Sequence, residues 1–425
     1  MRMRSGSVSP RKQGNTAKPS PRVQADRTIS KPEKRSLTCS SGSNCANAAA
    51  VRAAVPASGD RYLHSVAKGK TARGSGGSIG NLTSTPRTAP MKTLTSKLLF
   101  AATTFAIALA GTGAHAAGYQ HGFAADPDGK PLQIGIWYPS KAMVQPVSIG
   151  PTTMNVAMNG TAEGKALPLV VISHGHASSF LSHYDTAIAL ADAGFVVAAV
   201  SHAGDNYADQ SRSMDVMDRP RQVSRVIDHM LSAWEGRALI DPARVGMYGY
   251  SAGGFTTLVN IGGVPDFTTV GPMCRQHPGD FVCQLIAKGG GNATSPAASA
   301  NGRAADFRIK AAVVAAPAIG FAFAPDGLRN VKVPVQLWSA ENDLLVPQAR
   351  YAEAVRRALP QAPEYHVVSG AGHYDFLVPC SNALASIAPF ICTSAAGFDR
   401  AAFHAKFNEE VVGFFHRTLK SGAGS

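Results

Sequence analysis

The chain has 425 residues, is 45% hydrophobic and 16% charged, and has a mean hydropathy of −0.02. That much apolar material at so low a charge excludes wholesale disorder, and the lack of any period excludes a collagen or coiled-coil repeat. An uninterrupted apolar stretch of about 20 residues is missing outside one N-terminal segment, which excludes a polytopic membrane protein. The net charge of +14 sits at one end: residues 1–90 hold 16 of the 41 basic side chains and only Asp26, Glu33 and Asp60 of the 27 acidic ones, leaving 25 against 24 in residues 91–425. A nucleic-acid-binding reading of the pI of 9.6 would rest wholly on the first ninety residues.

Residues 1–90 are rich in Ser, Arg, Lys, Thr, Gly and Pro and poor in large apolar residues, so they cannot bury a core. Three readings compete: a disordered basic arm, an Arg- and Ser-rich transit peptide, or upstream sequence included by a misplaced start. The third has a specific warrant at Met91. Lys92 and Lys97 form a positive n-region, Leu98 to Gly111 a short apolar run, and Ala114-His115-Ala116 places small residues where a signal peptidase reads. Residues 91–116 are therefore expected to be a secretory signal and 117–425 the exported domain. The apolar run is short for a membrane span, and no Cys stands at the cleavage site, so no stable anchor is expected after cleavage.

From Gly118 onward the pattern is regular. Leu132–Pro139 mixes β-branched and aromatic residues and predicts a strand paired with the preceding "GYQHGFAAD" through the turn "DPDGK". Leu167–Gly175, Phe195–His202, Arg244–Ser251, Ile309–Pro317, Val333–Ala340 and Glu364–Gly370 are apolar runs of strand length, as expected for strands buried on both faces of a parallel sheet. Helical patterns at Tyr184–Ala193, Pro220–Trp234 and Gln348–Leu359 alternate with them, and Asp399–Leu419 reads as a closing amphipathic helix. Alternating strands and helices predict an α/β fold with a mostly parallel central sheet flanked by helices. Residues 262–306, rich in Gly, Pro and Ala, break the rhythm and are expected to form a small cap-like insertion over one sheet edge.

The chemistry concentrates in "VGMYGYSAGG". Gly249-Tyr250-Ser251-Ala252-Gly253 matches G-x-S-x-G, with an apolar strand before it and a small-residue helix start after it. Both are what a serine nucleophile on a sharp strand-to-helix turn requires, since bulk on either side would clash. A hydroxyl needs a base, and the chain order of the α/β-hydrolase fold is Ser, acid, His. His373, in the glycine-flanked "SGAGHYDFL" after the last strand, is the candidate base; His366 lies within that strand and is expected to be packed. Asp343, in "WSAENDLLVP" after the preceding strand, is the candidate acid, with Glu341 and then Asp326 as rivals. An oxyanion needs two preorganised donors: the N–H of Ala252 and, from the turn His174-Gly175-His176-Ala177, the N–H of His176. The His174-x-His176 pair also raises a metal site, but no carboxylate cluster accompanies it, and neither a metal nor a cofactor is expected. His202 and Asp205, in "SHAGDN", read as pocket or scaffold.

Outside residues 1–90 the chain has four cysteines, Cys274, Cys283, Cys380 and Cys392. Four allow three connectivities; pairing neighbours gives Cys274–Cys283 and Cys380–Cys392 and suits an exported protein. Metal binding and free thiols are the rivals, and no C-x-x-C pair supports the former.

From about Gly118 the chain resembles the bacterial predicted dienelactone hydrolase group of α/β-hydrolases, itself similar to platelet-activating-factor acetylhydrolases and more distantly to cutinase-like polyester hydrolases. The residues carrying the resemblance are "GIWYPS", "VISHGHASS", "MYGYSAGG", "AENDLLVP" and "GAGHYDFLVPC". True dienelactone hydrolases use a Cys nucleophile where this chain has Ser251, so lactone specificity does not carry over, and "HGHAS" departs from the glycine-rich oxyanion loop. Together these features lead to an exported, periplasmic or secreted, serine esterase acting on a small-molecule or lipid-like ester, without nucleic acid. A peptidase or acyltransferase on the same residues, or a non-catalytic binding module of the same fold, are the alternatives.

Overall fold

The computed structural model describes residues 116–288 and 304–420. Residues 1–90 and the expected signal segment up to His115 lie outside them, as does part of the insertion; Ala116, the last residue of that expected segment, is the first residue of β1. Ten strands form one sheet: β1 (Ala116–Ala124), β2 (Leu132–Ser140), β3 (Gln145–Ile149), β4 (Thr152–Met158), β5 (Leu167–Ser173), β6 (Val196–Ser201), β7 (Ile240–Tyr250), β8 (Ile309–Ala315), β9 (Val335–Ala340) and β10 (Glu364–Val368), in the order β10-β9-β8-β7-β5-β6-β2-β1-β4-β3. From β6 to β10 every neighbouring pair is parallel. β2 joins β6 and β1 antiparallel. This is the α/β-hydrolase fold, and each apolar run read as a buried strand lies in its parallel half.

The parallel strands explain their own composition. Leu169, Val170, Val171, Val196, Val197, Val313 and Val314 are fully buried, which requires cover on both faces. The helices are α1 (Tyr184–Asp192), α2 (Asp218–Ser232), α3 (Ala252–Asn260), α4 (Val270–Gln276), α5 (Phe281–Lys288), α6 (Ala352–Ala358), α7 (Asn382–Ile387), α8 (Pro389–Cys392) and α9 (Arg400–Thr418). Along β7 the ring of Tyr248 meets Phe407 of α9 at 5.8 Å, while the next residue, Gly249, lies against Gly253 and Thr257 of α3. Successive strand residues point to opposite faces, so α9 and α3 cover opposite sides. On α2, Val223, Val226, Ile227 and Met230 are buried at helical spacing, and the helix lies against α3, β5 and β6.

The hairpin β3–β4, paired from Gln145↔Val156 to Ile149↔Thr152, has no counterpart among the predicted elements. Its alternation of buried and exposed residues is a half-buried edge, a weaker signal than the solid runs of the centre. Within 262–306 the described residues form α4 and α5, joined by a disulfide between Cys274 and Cys283; a second joins Cys380 to Cys392. Among the described residues no helix is long and apolar enough to cross a membrane.

Candidate active site

The ends of the parallel strands bring Ser251, Asp343 and His373 together. Ser251 follows β7 directly and caps α3 with φ 56° and ψ −115°, a left-handed conformation that strains any residue with a Cβ. Two close approaches hold it there. A Cβ on Gly249 would lie 2.1 Å from the Gly253 carbonyl oxygen, and one on Gly253 would lie 1.9 Å from that of Ser173, so only glycine lets α3 start against the end of β5. Hydrogen bonds from Ser251 N–H to Ala315 O and from Ala318 N–H to Ser251 O, both 2.9 Å, tie the turn to the end of β8 and the residues that follow it.

His373 opens a short 3-10 turn, His373–Phe376, after β10. Its Nε2 is 3.0 Å from Ser251 Oγ and its Nδ1 2.6 Å from Asp343 Oδ2. Asp343 follows β9, and its other oxygen accepts the N–H groups of Leu345 and Val346 at 3.0 and 2.8 Å. Ser251, Asp343 and His373 are 8%, 5% and 6% exposed, so the chain of contacts is largely shielded, with the serine at its outer end. The rivals stand elsewhere: Glu341 is exposed and accepts from Ser369 Oγ and Gly370 N–H, Asp326 is exposed in a turn, and the His366 ring stacks on Trp338 at 4.0 Å.

Ala252 is the first residue of α3, where backbone N–H groups have no intrahelical partner and the helix dipole is positive. The turn 174–177 lies beside it, with Gly175 packed against Tyr250 and Ser251. His174 and His176 do not share a site. His174 is buried, donates from Nδ1 to Gly175 O and accepts the His202 N–H at Nε2. His176 Nδ1 instead donates to Asp205 Oδ1 at 2.8 Å, and its ring lies 5.9 Å from Phe281 of α5, which brings the insertion up to this turn. Among the described residues no group of three or more His, Cys, Asp or Glu side chains could hold a metal.

A buried polar cluster underlies the turn. Burial pushes the His174 imidazole down to about 3, assisted by the Arg219 charge, and burial likewise holds His202 well below the usual histidine range. Both are therefore neutral, and His202 bridges Ser173 Oγ at 2.8 Å and Gln222 Oε1 at 3.0 Å. Burial alone would raise the Asp205 carboxyl, but Arg219, His176 and the Ala177 N–H outweigh it and hold it below the usual carboxylate range.

Residues 137–223 match the family described as platelet-activating factor acetylhydrolase, isoform II. The chain is thus similar to that α/β-hydrolase family from the middle of β2 to the second turn of α2, the stretch containing the turn 174–177, and this similarity supports a serine ester hydrolase. No curated protein matches it. The matched stretch ends before Ser251, so the three residues brought together at the strand ends are an observation independent of it.

Three residues near the site escape the sequence patterns. Tyr250, the first variable residue of the motif, donates its hydroxyl to His373 O at 2.9 Å and lays its ring 5.0 Å from the imidazole. Asp375, buried, accepts the Gly372 N–H at 2.7 Å and Arg400 Nε at 3.0 Å, bracing the His373 loop. Arg219 is 2% exposed. It had a readable signal: its position continues the buried stripe of Val223, Val226 and Met230 on α2, where an arginine is out of place unless paired.

Proposed function

We propose that this protein is an exported serine esterase that cleaves carboxylic esters through an acyl-enzyme, with Ser251 as nucleophile, His373 as base and then acid, and Asp343 as the group orienting His373. The observation that carries the reading is the continuous set of contacts from Asp343 Oδ2 through both His373 nitrogens to Ser251 Oγ, with the serine on a strained turn.

In the first half-reaction Ser251 Oγ attacks the ester carbonyl carbon and its proton passes to His373 Nε2. Asp343, bonded to Nδ1, fixes the tautomer that leaves Nε2 free to accept, and stabilises the imidazolium. The N–H groups of His176 and Ala252 receive the oxyanion. Collapse of the tetrahedral intermediate expels the alcohol, which takes the proton from Nε2. Water then repeats the sequence on the acyl-serine and releases the acid. No step calls on a metal or cofactor.

The reading extends to processing and domain organisation. Residues 91–116 act as a secretory signal, 117–425 form the working domain, and within the insertion 262–306 the described helices α4 and α5 act as a cap beside His176. Two disulfides suit an oxidising compartment. A small-molecule or lipid-like ester is the substrate. Turnover of p-nitrophenyl esters of increasing acyl length, beside the matching p-nitroanilides, tests this. The esters should be cleaved by the wild type and not by Ser251→Ala; preference for the anilides, or equal ester turnover by both proteins, would contradict it.

A further inference from the structure

We infer that the buried pair Asp205–Arg219 is the positioning device that sets the spacing of the two oxyanion donors, a role resting on the acyl-enzyme reading above. The pair touches both halves of the proposed hole. On the turn side, Asp205 Oδ1 accepts the Ala177 N–H at 2.9 Å and His176 Nδ1 at 2.8 Å, and Arg219 Nη2 donates to His174 O. Ala177 has φ 52°, an unfavourable conformation for alanine that needs external support. These contacts hold the residues on both sides of the His176 N–H. On the helix side, Arg219 Nε donates to Thr256 Oγ1 at 3.1 Å, and Thr256 Oγ1 donates to Ala252 O at 2.8 Å. The second donor residue is thus attached to the same guanidinium. Arg219 Nη1 meets Asp205 Oδ2 at 2.6 Å, closing the connection.

Two physical points favour positioning over bulk stability. A buried ion pair pays heavily in desolvation, and apolar residues of similar volume are often as stabilising, so stability alone does not account for a charge pair here. Moreover, a planar guanidinium presents its N–H groups in a fixed fork. One rigid group therefore dictates the distance between the 174–177 turn and the start of α3, which a flexible ammonium could not do. The two fully buried histidines of the cluster, His174 and His202, are each bound as a neutral donor–acceptor relay, so the Asp205–Arg219 pair carries its buried charge.

Three variants test the inference: Arg219→Lys, which keeps the charge and loses the fork; Asp205→Asn with Arg219→Gln, which removes both charges together; and the near-isosteric Thr256→Val, which cuts only the link to α3 and keeps the test available if the others fail to fold. The readouts are the thermal midpoint, kcat and KM for a p-nitrophenyl ester, and Ki for a boronic acid, whose tetrahedral anion on the serine occupies the oxyanion position. Misplacing preorganised donors by about 1 Å costs on the order of 100-fold. For Arg219→Lys we expect kcat lower by about 10- to 100-fold, KM within about threefold, and boronate binding weakened in parallel with kcat/KM; for Thr256→Val the same pattern at about 3- to 10-fold. A folded Arg219→Lys or Thr256→Val protein with wild-type kcat and boronate affinity would overturn the inference, as would a double variant whose kcat simply tracks its thermal midpoint. Ser251→Ala is assayed alongside: if it still turns over ester, the acyl-enzyme reading fails, whereas an inactive Ser251→Ala beside a fully active Arg219→Lys sinks only the positioning role.

Discussion

Two histidine–aspartate pairs flank Ser251, and they are chemically unlike. On one side His373 Nδ1 meets Asp343 at 2.6 Å, and the Asp343 oxygens otherwise accept only backbone N–H groups among the contacts described. Its negative charge is left for the imidazole, which can take up a proton beside it. On the other side His176 Nδ1 meets Asp205 at 2.8 Å, but Asp205 also binds the buried Arg219 guanidinium. That charge is already neutralised, so in the proposed mechanism the second pair holds a shape while the first cycles a proton. On that reading the third partner of the carboxylate, not the pair itself, separates a proton relay from a brace.

The largest effect expected from breaking this contrast is at the relay. Ser251→Ala and His373→Ala should each lower kcat for a p-nitrophenyl ester by about 10⁴ or more, and the double variant should be no worse than the singles, because the residues act as a unit. Steady-state kinetics on all three proteins check this; additive losses would contradict a shared relay.

Close behind comes a paired comparison of the two sides. Asp343→Asn places an amide beside His373 Nδ1, favours the wrong tautomer and should cost about 10⁴ in kcat. His176→Ala removes a side chain but leaves the backbone N–H, and should cost less than about 10-fold, the scale of one ordinary hydrogen bond. Similar losses in the two variants would erase the distinction drawn above.

The disulfide at Cys380–Cys392 sits on the relay side, spanning 12 residues and beginning shortly after the His373 turn. Replacing both cysteines by serine should lower stability by about 2–4 kcal/mol, read in urea. The Cys274–Cys283 bridge sits in the insertion that reaches His176 through Phe281. Its removal should change the acyl-length preference more than kcat on the shortest ester. The reverse assignment of effects would mean that the insertion does not approach the substrate.

Acid should act on both sides and more gently. His174 and His202 on the brace side, and His183 against Tyr250, are buried histidines whose folded values are pushed below the unfolded value of about 6.5. The unfolded chain therefore binds protons that the folded chain does not. Their contribution to stability is complete above about pH 6.5 and falls as the pH drops, down to about 3 for His174, with a limiting slope of about 1.4 kcal/mol per pH unit for each. Asp205, whose folded value is also lowered, adds to the same loss at still lower pH. Urea midpoints between pH 7 and 4 should fall with pH, and His202→Gln should flatten that fall.

Much of this arrangement was legible in the sequence, for reasons that can be named. Strands buried on both faces read as continuous apolar runs, so the parallel half of the sheet was visible, and glycines at Gly249 and Gly253 mark a turn whose backbone excludes a Cβ. Because strand ends converge in this fold, placing His373 and Asp343 after successive strands brought them to one place. The brace was legible only in part: Asp205 read as pocket or scaffold and Arg219 continues a buried stripe, but nothing in the sequence paired them. Asp205 and Arg219 stand 14 residues apart and meet only because the loop after β6 folds back on α2. The hairpin β3–β4 is a half-solvated edge whose pattern merges with a loop. Tyr250 occupies one of the two positions of the motif that any residue can fill, so its bond to the His373 carbonyl left no trace in the pattern.

The central claim, an acyl-enzyme on Ser251, is tested most directly by trapping it. The protein is incubated with a fluorophosphonate ester, digested and mapped by mass spectrometry while ester turnover is followed. The account predicts one phosphonyl adduct, on the peptide holding Ser251, with loss of activity in step with labelling, no adduct in Ser251→Ala, and much slower labelling in His373→Ala. An adduct on another residue, or full activity in protein whose Ser251 is completely modified, would contradict it.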